Sequence, residues 1–207
     1  MKHVTGKSSK TTLTNVQDND VQPNAVDLRL AKVFLIKPEV FVIDEEQKVH
    51  RGTIEIQPNE QGYFQLDVGH YEVVMENIIN VGEHEAGWVI TRSTLNRNGV
   101  FLTSGLYDSK YHGVMAGVMH VSIAPMRIKP GTRIGQYLSF DAEMVKGYDG
   151  SYGIGKEHDK KYNASEFIRH DLGDKVNIVI LDEPTGGPAE TVAKIIESRG
   201  LNDEEIL

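Results

Sequence analysis

Residues 90–120, ITRSTLNRNGVFLTSGLYDSKYHGVMAGVMH, contain the most informative pattern of the chain. A polar turn over 105–113 lies between two apolar runs, and the second run, 114–121, is spaced by glycine. Polar turn residues between two apolar runs are typical of a β-hairpin. The pattern therefore predicts a hairpin whose second strand is buried, and a rigid hairpin is a good place to mount a catalytic acid or base.

Short apolar runs separated by Asn, Gly and Pro continue on both sides of this hairpin. Val26, Leu28 and Leu30 alternate with polar residues, as expected for a strand with one buried face. We predict strands at 26–30, 33–36, 41–43, 53–56, 71–75, 88–90, 114–123, 125–128, 133–144 and 176–181. Many short strands with few helical periods predict an all-β sandwich, jelly roll or distorted barrel.

The length of 207 residues fits one domain with extensions. Residues 1–20 have almost no apolar side chains, which predicts a polar N-terminal arm that is flexible or packs peripherally. We assign 21–183 to the β-barrel domain and 184–207 to a C-terminal helical extension. Its helix is predicted over 188–198, because Pro188 suits a first helical position and Gly200 suits a helix end.

The composition excludes several classes of function. A formal net charge of −8 argues against a protein whose main task is to bind nucleic acid. The chain has no cysteine, which excludes disulfides, thiolate catalysis and zinc–thiolate sites, and a cytoplasmic location fits this composition. No apolar run approaches the ~20 residues of a membrane span, and residues 1–20 lack a signal-peptide core. We expect no membrane and no nucleic-acid partner.

A cluster of arginines and hydroxyls, Arg92, Ser93, Thr94 and Arg97, directly follows an apolar strand. The arginine fork matches phosphate oxygens and hydroxyls add short-range donors, so the cluster predicts an anion site. The alternative is a helix start with Ser93 or Thr94 as N-cap and with exposed arginines. The two interpretations are compatible, because a helix N-terminus itself attracts anions.

Asp108 lies at the tip of the predicted hairpin, between Tyr107 and Ser109. An aspartate at such a position most often bonds its own turn backbone. The functional alternative is a general base that orients a water molecule. The neighbouring anion cluster favours the second interpretation.

Two further segments could reach a ligand. Gln136 enters an alternating strand after the Pro130-Gly131 turn, where it is either a surface residue or a ligand contact. Residues 146–156 hold four glycines, two tyrosines and two lysines, and such a loop can expose backbone N–H groups and stack a ring on a base. The alternative is an ordinary flexible loop. The eight histidines show no metal-binding spacing.

Five segments resemble, in order, the sequence motifs of the deoxyuridine triphosphatase and deoxycytidine triphosphate deaminase superfamily. They are QPNAVDLRL at 22–30, RSTLNRNG at 92–99, GLYDSKYHG at 105–113, PGTRIGQ at 130–136 and the glycine and tyrosine loop at 147–155. Each motif is weak alone, but five in the family's order make a strong signal.

The resemblance implies a homotrimer of distorted β-barrels whose active sites lie where subunits meet. It implies a deoxynucleoside triphosphate bound with Mg²⁺, which would be held mainly by the phosphates and not directly by side chains. Asp108 would orient the attacking water, Tyr111 would pack on the deoxyribose and reject a 2′-hydroxyl, and Asp27 would be a polar support near the site. The other implied substrate contacts are Arg92, Ser93, Thr94, Arg97, Gly105, Gln136, Tyr148 or Tyr152 over the base, and Lys156.

Position 118 distinguishes the two branches of the superfamily. The deaminases carry a glutamate five residues past the closing glycine of the third motif, and here that residue is Val118. No Asp or Glu occurs between Gly113 and Phe140. Deamination needs a group that transfers protons, which valine cannot supply. We therefore predict Mg²⁺-assisted hydrolysis of dUTP to dUMP and pyrophosphate. The alternatives are a dCTP deaminase or bifunctional enzyme, and a non-catalytic nucleotide-sensing or protein-binding relative.

Overall fold

β-strands dominate the computed structural model, which describes residues 3–4 and 9–167. The strands are β1 (His3–Val4), β2 (Thr12–Leu13), β3 (Val21–Gln22), β4 (Ala25–Ile36), β5 (Val42–Ile43), β6 (Lys48–Val49), β7 (Thr53–Ile56), β8 (Phe64–Leu66), β9 (Gly69–Asn80), β10 (Glu85–Thr91), β11 (Val100–Thr103), β12 (His112–Val121), β13 (Met126–Ile128) and β14 (Arg133–Asp141). A one-turn helix, α1 (Ser93–Asn96), follows β10, and 3₁₀ helices cover Asp18–Asp20, Glu157–Tyr162 and Ala164–Phe167. The prediction of an all-β, barrel-like fold is confirmed.

β4 organises the barrel because its two halves pair with different strands. Its first half is antiparallel to β14, with Asp27 opposite Gln136. After a register shift between Leu30 and Lys32, its second half pairs with β9 and β7. The main sheet has ten strands within the described residues, along the path β1-β14-β4-β9-β12-β11, and β10 joins it by pairing with β14. The bend in β4 thus turns one continuous sheet around a common core.

The core fills the space inside this sheet, and β9 is buried on both of its faces. Leu28, Met75 and Ile134 are fully buried in the main cluster. Neighbouring residues of a strand point to opposite faces, so Val74 leaves that cluster and joins a second one with Tyr162. The 3₁₀ segment at the end of the described chain therefore covers part of the outer face of the barrel.

The polar segment 9–20 packs along the barrel instead of extending from it. Glu85, at the start of β10, accepts hydrogen bonds from Ser9 Oγ, Lys10 N and Thr11 Oγ1, each 2.6 Å long. Burial raises the pKa of Glu85, but the bonds from Lys10, Ser9 and Thr11 together outweigh this effect and leave the pKa below its ordinary value. The carboxylate therefore fixes the polar segment to the barrel.

The same segment explains why β9 continues past the predicted run at 71–75. Glu76 and Asn77 are polar, which favoured an end of the strand at Met75. In the structure Asn77 is fully buried, and its Nδ2 donates to Thr14 O at 2.7 Å. A polar residue can stay in a buried strand when such a partner satisfies it.

The predicted strand at 176–181 and the predicted helix at 188–198 lie outside the described residues. In the part of the chain that the structure describes, no helix is long and apolar enough to cross a membrane.

Candidate functional site

A fully buried carboxylate, Asp27, is the centre of a cluster of cationic and amide donors. Arg92 Nη1 and Arg133 Nη1 lie 3.4 Å and 3.3 Å from Asp27 Oδ2, and Gln136 Nε2 donates to Oδ1 at 3.0 Å. The side chains of Arg92 and Arg133 keep 27% and 31% of their surface exposed. A buried carboxylate therefore holds both arginines from beneath while part of each arginine side chain remains exposed.

The strand register brings this cluster together. Gln136 stands opposite Asp27 on β4 and opposite Ile90 on β10. Arg92 N donates to Ile134 O at 3.1 Å, which extends the pairing of β10 and β14 by one residue. Three motifs, at 22–30, 92–99 and 130–136, thus meet at one end of these strands.

Arg133 belongs to this cluster although the sequence interpretation missed it. In a regular strand, positions three apart face opposite sides, so Arg133 and Gln136 would point away from each other. The pairing with β4 shifts register between Arg133 and Gly135, and this irregularity lets both side chains reach Asp27. The signals in the sequence were its place two residues after the Pro130-Gly131 turn and its position inside the motif at 130–136.

The prediction that Ser93 or Thr94 caps a helix is wrong. The N-cap of α1 is Arg92, whose backbone is extended, and no side chain caps the helix. Because β10 and β14 hold Arg92 in extended geometry, the helix can begin only at the next residue. Ser93, Thr94 and Arg97 are exposed on this single turn, beside the Asp27 cluster.

The predicted hairpin forms, with β11 antiparallel to β12, and Asp108 begins a tight turn before β12. Tyr111 N donates to Asp108 O at 3.0 Å, and Lys110 has a φ of 68°. The side chain of Asp108 is exposed, and among the described residues no hydrogen bond or ion pair holds its carboxylate. The neighbouring Ser109 Oγ instead anchors the turn by donating to Glu85 O at 2.6 Å. The backbone of the turn is fixed while the Asp108 carboxylate stays available.

Tyr111 is a buried residue beneath this turn. Its hydroxyl donates to Val114 O at 2.9 Å, and its ring packs edge-on against Tyr107 and Tyr148 with centroid separations of 5.5 Å and 5.1 Å. Burial raises the pKa of Tyr111, so the hydroxyl stays protonated and keeps its bond. Gly105 is exposed, and a Cβ there would meet no atom within 4 Å.

The glycine and tyrosine loop packs on its own chain. Tyr148 N donates to Ser109 O at 2.9 Å, and Ile154 N donates to His112 O at 3.1 Å. Tyr148 therefore reaches the Asp108 turn, whereas Tyr152 lies in a separate aromatic group with His50 and His158. Lys156 is exposed at the start of the 3₁₀ helix that follows.

The Asp108 turn and the Asp27 cluster lie at opposite ends of β10. Tyr107 bridges to Gly87 through two backbone hydrogen bonds of 2.8 Å and 3.0 Å, whereas Arg92 follows the other end of β10. Gly87 also lets the Tyr137 side chain of β14 pack close to this point, since a Cβ there would lie 2.4 Å from Tyr137 Oη. At ~3.3 Å per residue, the five steps from Gly87 to Arg92 span roughly 16 Å. One chain therefore holds both halves of the candidate site but keeps them apart.

Val118 is partly buried in β12 and stands opposite Thr103 and Glu72. The carboxylate of Glu72 accepts hydrogen bonds from Lys161 Nζ at 2.9 Å and from the hydroxyl of Tyr162. Position 118 of β12 has no carboxylate, but Glu72 on the neighbouring strand β9 lies directly opposite it. Lys161 and Tyr162 already bind the Glu72 carboxylate.

Comparisons with known proteins place the chain among relatives of one family. The model of the dCTP deaminase-like family matches residues 3–141. A deoxyuridine 5'-triphosphate nucleotidohydrolase of Methanocaldococcus jannaschii is 33% identical over 148 residues, which are 70% of this chain and 94% of that protein. A probable deoxyuridine 5'-triphosphate nucleotidohydrolase of Methanococcoides burtonii is 33% identical over 141 residues, 65% of this chain and 82% of that protein.

Among solved structures, the 2'-deoxycytidine 5'-triphosphate deaminase of Agrobacterium tumefaciens matches with a TM-score of 0.49 and 16% identity. The match covers 63% of this chain and 43% of the deaminase. The EIAV dUTPase matches with a TM-score of 0.37 and 15% identity, over 58% of this chain and 95% of that protein.

Proposed function

The chain belongs to the dCTP deaminase-like family, and on that premise we propose that it hydrolyses dUTP to dUMP and pyrophosphate. The observation that carries the proposal is the cluster of Arg92, Arg133 and Gln136 around the buried Asp27. The relatives that share about a third of their residues with this chain are named for that reaction. The family model spans residues 3–141, which include the segments that build the cluster.

The cluster suits a triphosphate because its positive charge exceeds the charge of its support. Two guanidinium groups face one carboxylate, which leaves a surplus positive charge. Each guanidinium has five N–H donors, of which only some are used by protein groups, so the remaining donors can bind phosphate oxygens. Ser93 and Arg97, exposed on the adjoining helical turn, would add donors to the same anion.

Asp108 would orient the water that attacks the α-phosphorus. Its carboxylate is exposed, and the turn fixes its backbone through Tyr111 N and Ser109 Oγ. A positioned carboxylate of this kind can accept a proton from the attacking water. Tyr111, buried beneath the turn, would offer its ring to the deoxyribose, and Tyr148, which contacts Tyr111, is the better placed tyrosine of the loop to reach the base.

The donors of the cluster suit phosphate oxygens, and Mg²⁺ would arrive bound to the phosphates of the substrate. Within the described residues there is no group of three or more His, Cys, Asp or Glu side chains that could hold a metal. The buried carboxylate of the cluster, Asp27, is already bound by Arg92 and Arg133. Mg²⁺ commonly keeps several waters and binds substrate phosphates, and when bound it would neutralise phosphate charge.

We also propose that the two halves of the site meet between subunits of a homotrimer. Because roughly 16 Å separates Gly87 from Arg92 along β10, Asp108 and Arg92 of one chain cannot hold the same phosphate group directly. A closed, symmetric ring would place the Asp108 turn of one chain beside the Arg92 cluster of the next.

Subunit complementation tests this arrangement. Asp108→Asn and Arg92→Ala chains should each be inactive alone, and co-assembled chains should recover activity at about a quarter of the sites, because random assembly pairs the two intact halves at that frequency. Two inactive variants that never complement would contradict the shared site without contradicting the reaction itself.

One observation supports deamination of dCTP as a second candidate. Glu72 stands directly opposite Val118, so a carboxylate does lie beside the position where the deaminases carry their glutamate. Its bonds to Lys161 and Tyr162 argue against a role in proton transfer. An assay of all deoxy- and ribonucleoside triphosphates with Mg²⁺ should show pyrophosphate from dUTP and no ammonia from dCTP. Ammonia release would favour the deaminase, and inactivity on every nucleotide would reject both.

A further inference from the structure

Two histidines face each other on neighbouring strands of the barrel, and neither is one of the residues assigned to the Asp27 cluster or the Asp108 turn. His70 on β9 and His120 on β12 are directly opposite in the antiparallel register. Their Nδ1 atoms lie 2.8 Å apart, and their ring centroids are separated by 4.9 Å. His70 is exposed and His120 is partly exposed, so solvent reaches the pair. We propose that this pair is a binding site for a divalent transition-metal ion of the Cu²⁺ or Ni²⁺ type.

The separation of the two nitrogens fits a metal chelate. Two imidazole nitrogens that bind one ion at ~2.0–2.1 Å subtend an angle of about 86° when they are 2.8 Å apart. That angle matches two adjacent positions of a square-planar or octahedral site, which Cu²⁺ and Ni²⁺ prefer. A tetrahedral ion such as Zn²⁺ would need the nitrogens roughly 0.5 Å further apart.

Thr103 prepares His120 to be a ligand. Its hydroxyl lies 3.1 Å from Nε2 of His120 and 3.4 Å from Val118 O. The hydroxyl can accept the Nε2 proton while it donates to the carbonyl oxygen, and this arrangement leaves Nδ1 of His120 without a proton. A metal-binding histidine usually donates its second ring N–H in this way, which fixes both the tautomer and the ring orientation.

The histidine pair supplies only two ligands, so the other coordination positions of the ion would face solvent. No third His, Cys, Asp or Glu of the described residues completes a metal cluster. Glu72, two residues from His70 on the same face of β9, is bound by Lys161. Water would therefore fill the remaining positions on the ion, and the site would exchange its metal readily. The ion would take the place of the hydrogen between the two Nδ1 atoms. That hydrogen would move to Nε2 of His70, so that both rings stay neutral and each presents Nδ1 to the ion.

Titration calorimetry with Ni²⁺ on the full chain, supported by electron paramagnetic resonance with Cu²⁺, tests the proposal. All proteins should carry His3→Gln, because a histidine at the third position can combine with the N-terminal amine to bind the same ions. In that background we expect Ni²⁺ binding and a Cu²⁺ spectrum with coupling to two nitrogens. Zn²⁺ should bind more weakly than Cu²⁺, and Mg²⁺ should not bind.

Single-residue variants make the test specific. His70→Gln and His120→Gln should each abolish the Ni²⁺ signal, Thr103→Val should weaken binding about tenfold, and His84→Gln, which removes an exposed histidine elsewhere, should have no effect. Hydrolysis of dUTP should be unchanged in all four variants. Absence of Ni²⁺ binding in the His3→Gln background, or equal binding after His70→Gln, would overturn the proposal.

Discussion

Asp27 and Asp108 are both aspartates of the candidate site, but the structure treats them in opposite ways. Asp27 is fully buried, and Arg92, Arg133 and Gln136 hold its carboxylate. Asp108 is exposed, and no described side chain holds it, although backbone bonds fix its turn. The difference assigns different roles to the two residues. Asp27 positions the arginines, because a carboxylate whose oxygens are both bound cannot also orient a water molecule, whereas the free carboxylate of Asp108 can do so. The following changes test that assignment.

Replacing Asp108 should have the largest effect on activity and almost none on stability. Asp108→Asn should lower kcat for dUTP by about 10²–10⁴-fold, the range expected for loss of a positioned acid or base. The melting temperature should not change, since the side chain makes no bond to the described residues. Steady-state kinetics and thermal unfolding measure the two effects, and normal turnover in this variant would end the proposed role of Asp108.

Replacing Asp27 should have a large effect on stability and a smaller effect on activity. Asp27→Asn places an NH₂ group against Arg92 and Arg133 and should reduce the free energy of unfolding by up to about 3 kcal/mol. It should also raise KM, because both arginines lose their support. Asp20→Asn is a matched control for burial, since Asp20 is equally buried but its carboxylate binds Arg29 and neither Arg92 nor Arg133. A KM that rises equally in both variants would mean that general destabilisation, and not phosphate binding, explains the effect.

Glu85 extends the comparison to a carboxylate outside the candidate site, whose bonds to residues 9–11 stabilise the fold. Glu85→Gln should cost about 1–2 kcal/mol, because several donors lose a charged acceptor. The pKa of Glu85 is lower in the folded protein than its ordinary value of 4.5, so its stabilisation is present above that pH and is lost as pH falls through the folded-state pKa. Chemical unfolding between pH 7 and pH 3 should show a shallower acid limb in Glu85→Gln than in the parent or in the exposed Glu60→Gln. Parallel acid limbs would contradict this assignment.

Removing only the hydroxyl of Tyr111 gives the smallest expected change. Its hydroxyl is bound to Val114 O, so Tyr111→Phe should cost about 0.5–1.5 kcal/mol and leave the preference for dUTP over UTP intact. Tyr111→Ala should weaken that preference but also remove a buried ring, at a cost of about 3–5 kcal/mol. The ratio of kcat/KM for dUTP and UTP measures the preference. Its loss in Tyr111→Phe would assign the selection to the hydroxyl instead of the ring.

The sequence predicted those parts of the molecule that follow from local alternation. The hairpin before β12 and the strand β14 were found because their apolar spacing is regular. Arg133 was missed because regular alternation would place it on the face opposite to Gln136. The pairing of β14 with β4 shifts register between Arg133 and Gly135, and this irregularity lets both side chains reach Asp27. The length of β9 was underestimated because the partner that satisfies Asn77 lies 63 residues earlier in the chain, at Thr14.

The candidate site follows the same rule. Resemblance to known motifs pointed to Arg92, Gln136 and Asp27, but only the register of three strands shows that they share one cluster. The helix cap was wrongly placed at Ser93 or Thr94, because sequence preference did not include the strand pairing that keeps Arg92 extended. Long-range pairing, and not residue type, decided each of these points.

Glu85 joins the beginning of the chain to the proposed catalytic turn. Its side chain binds Ser9, Lys10 and Thr11, while its carbonyl oxygen accepts the hydrogen bond of Ser109, the neighbour of Asp108. An affinity tag, a fusion or a truncation at the N-terminus therefore acts on the same residue that anchors the turn. Versions of this protein that differ only before residue 12 should not be assumed to be kinetically equivalent.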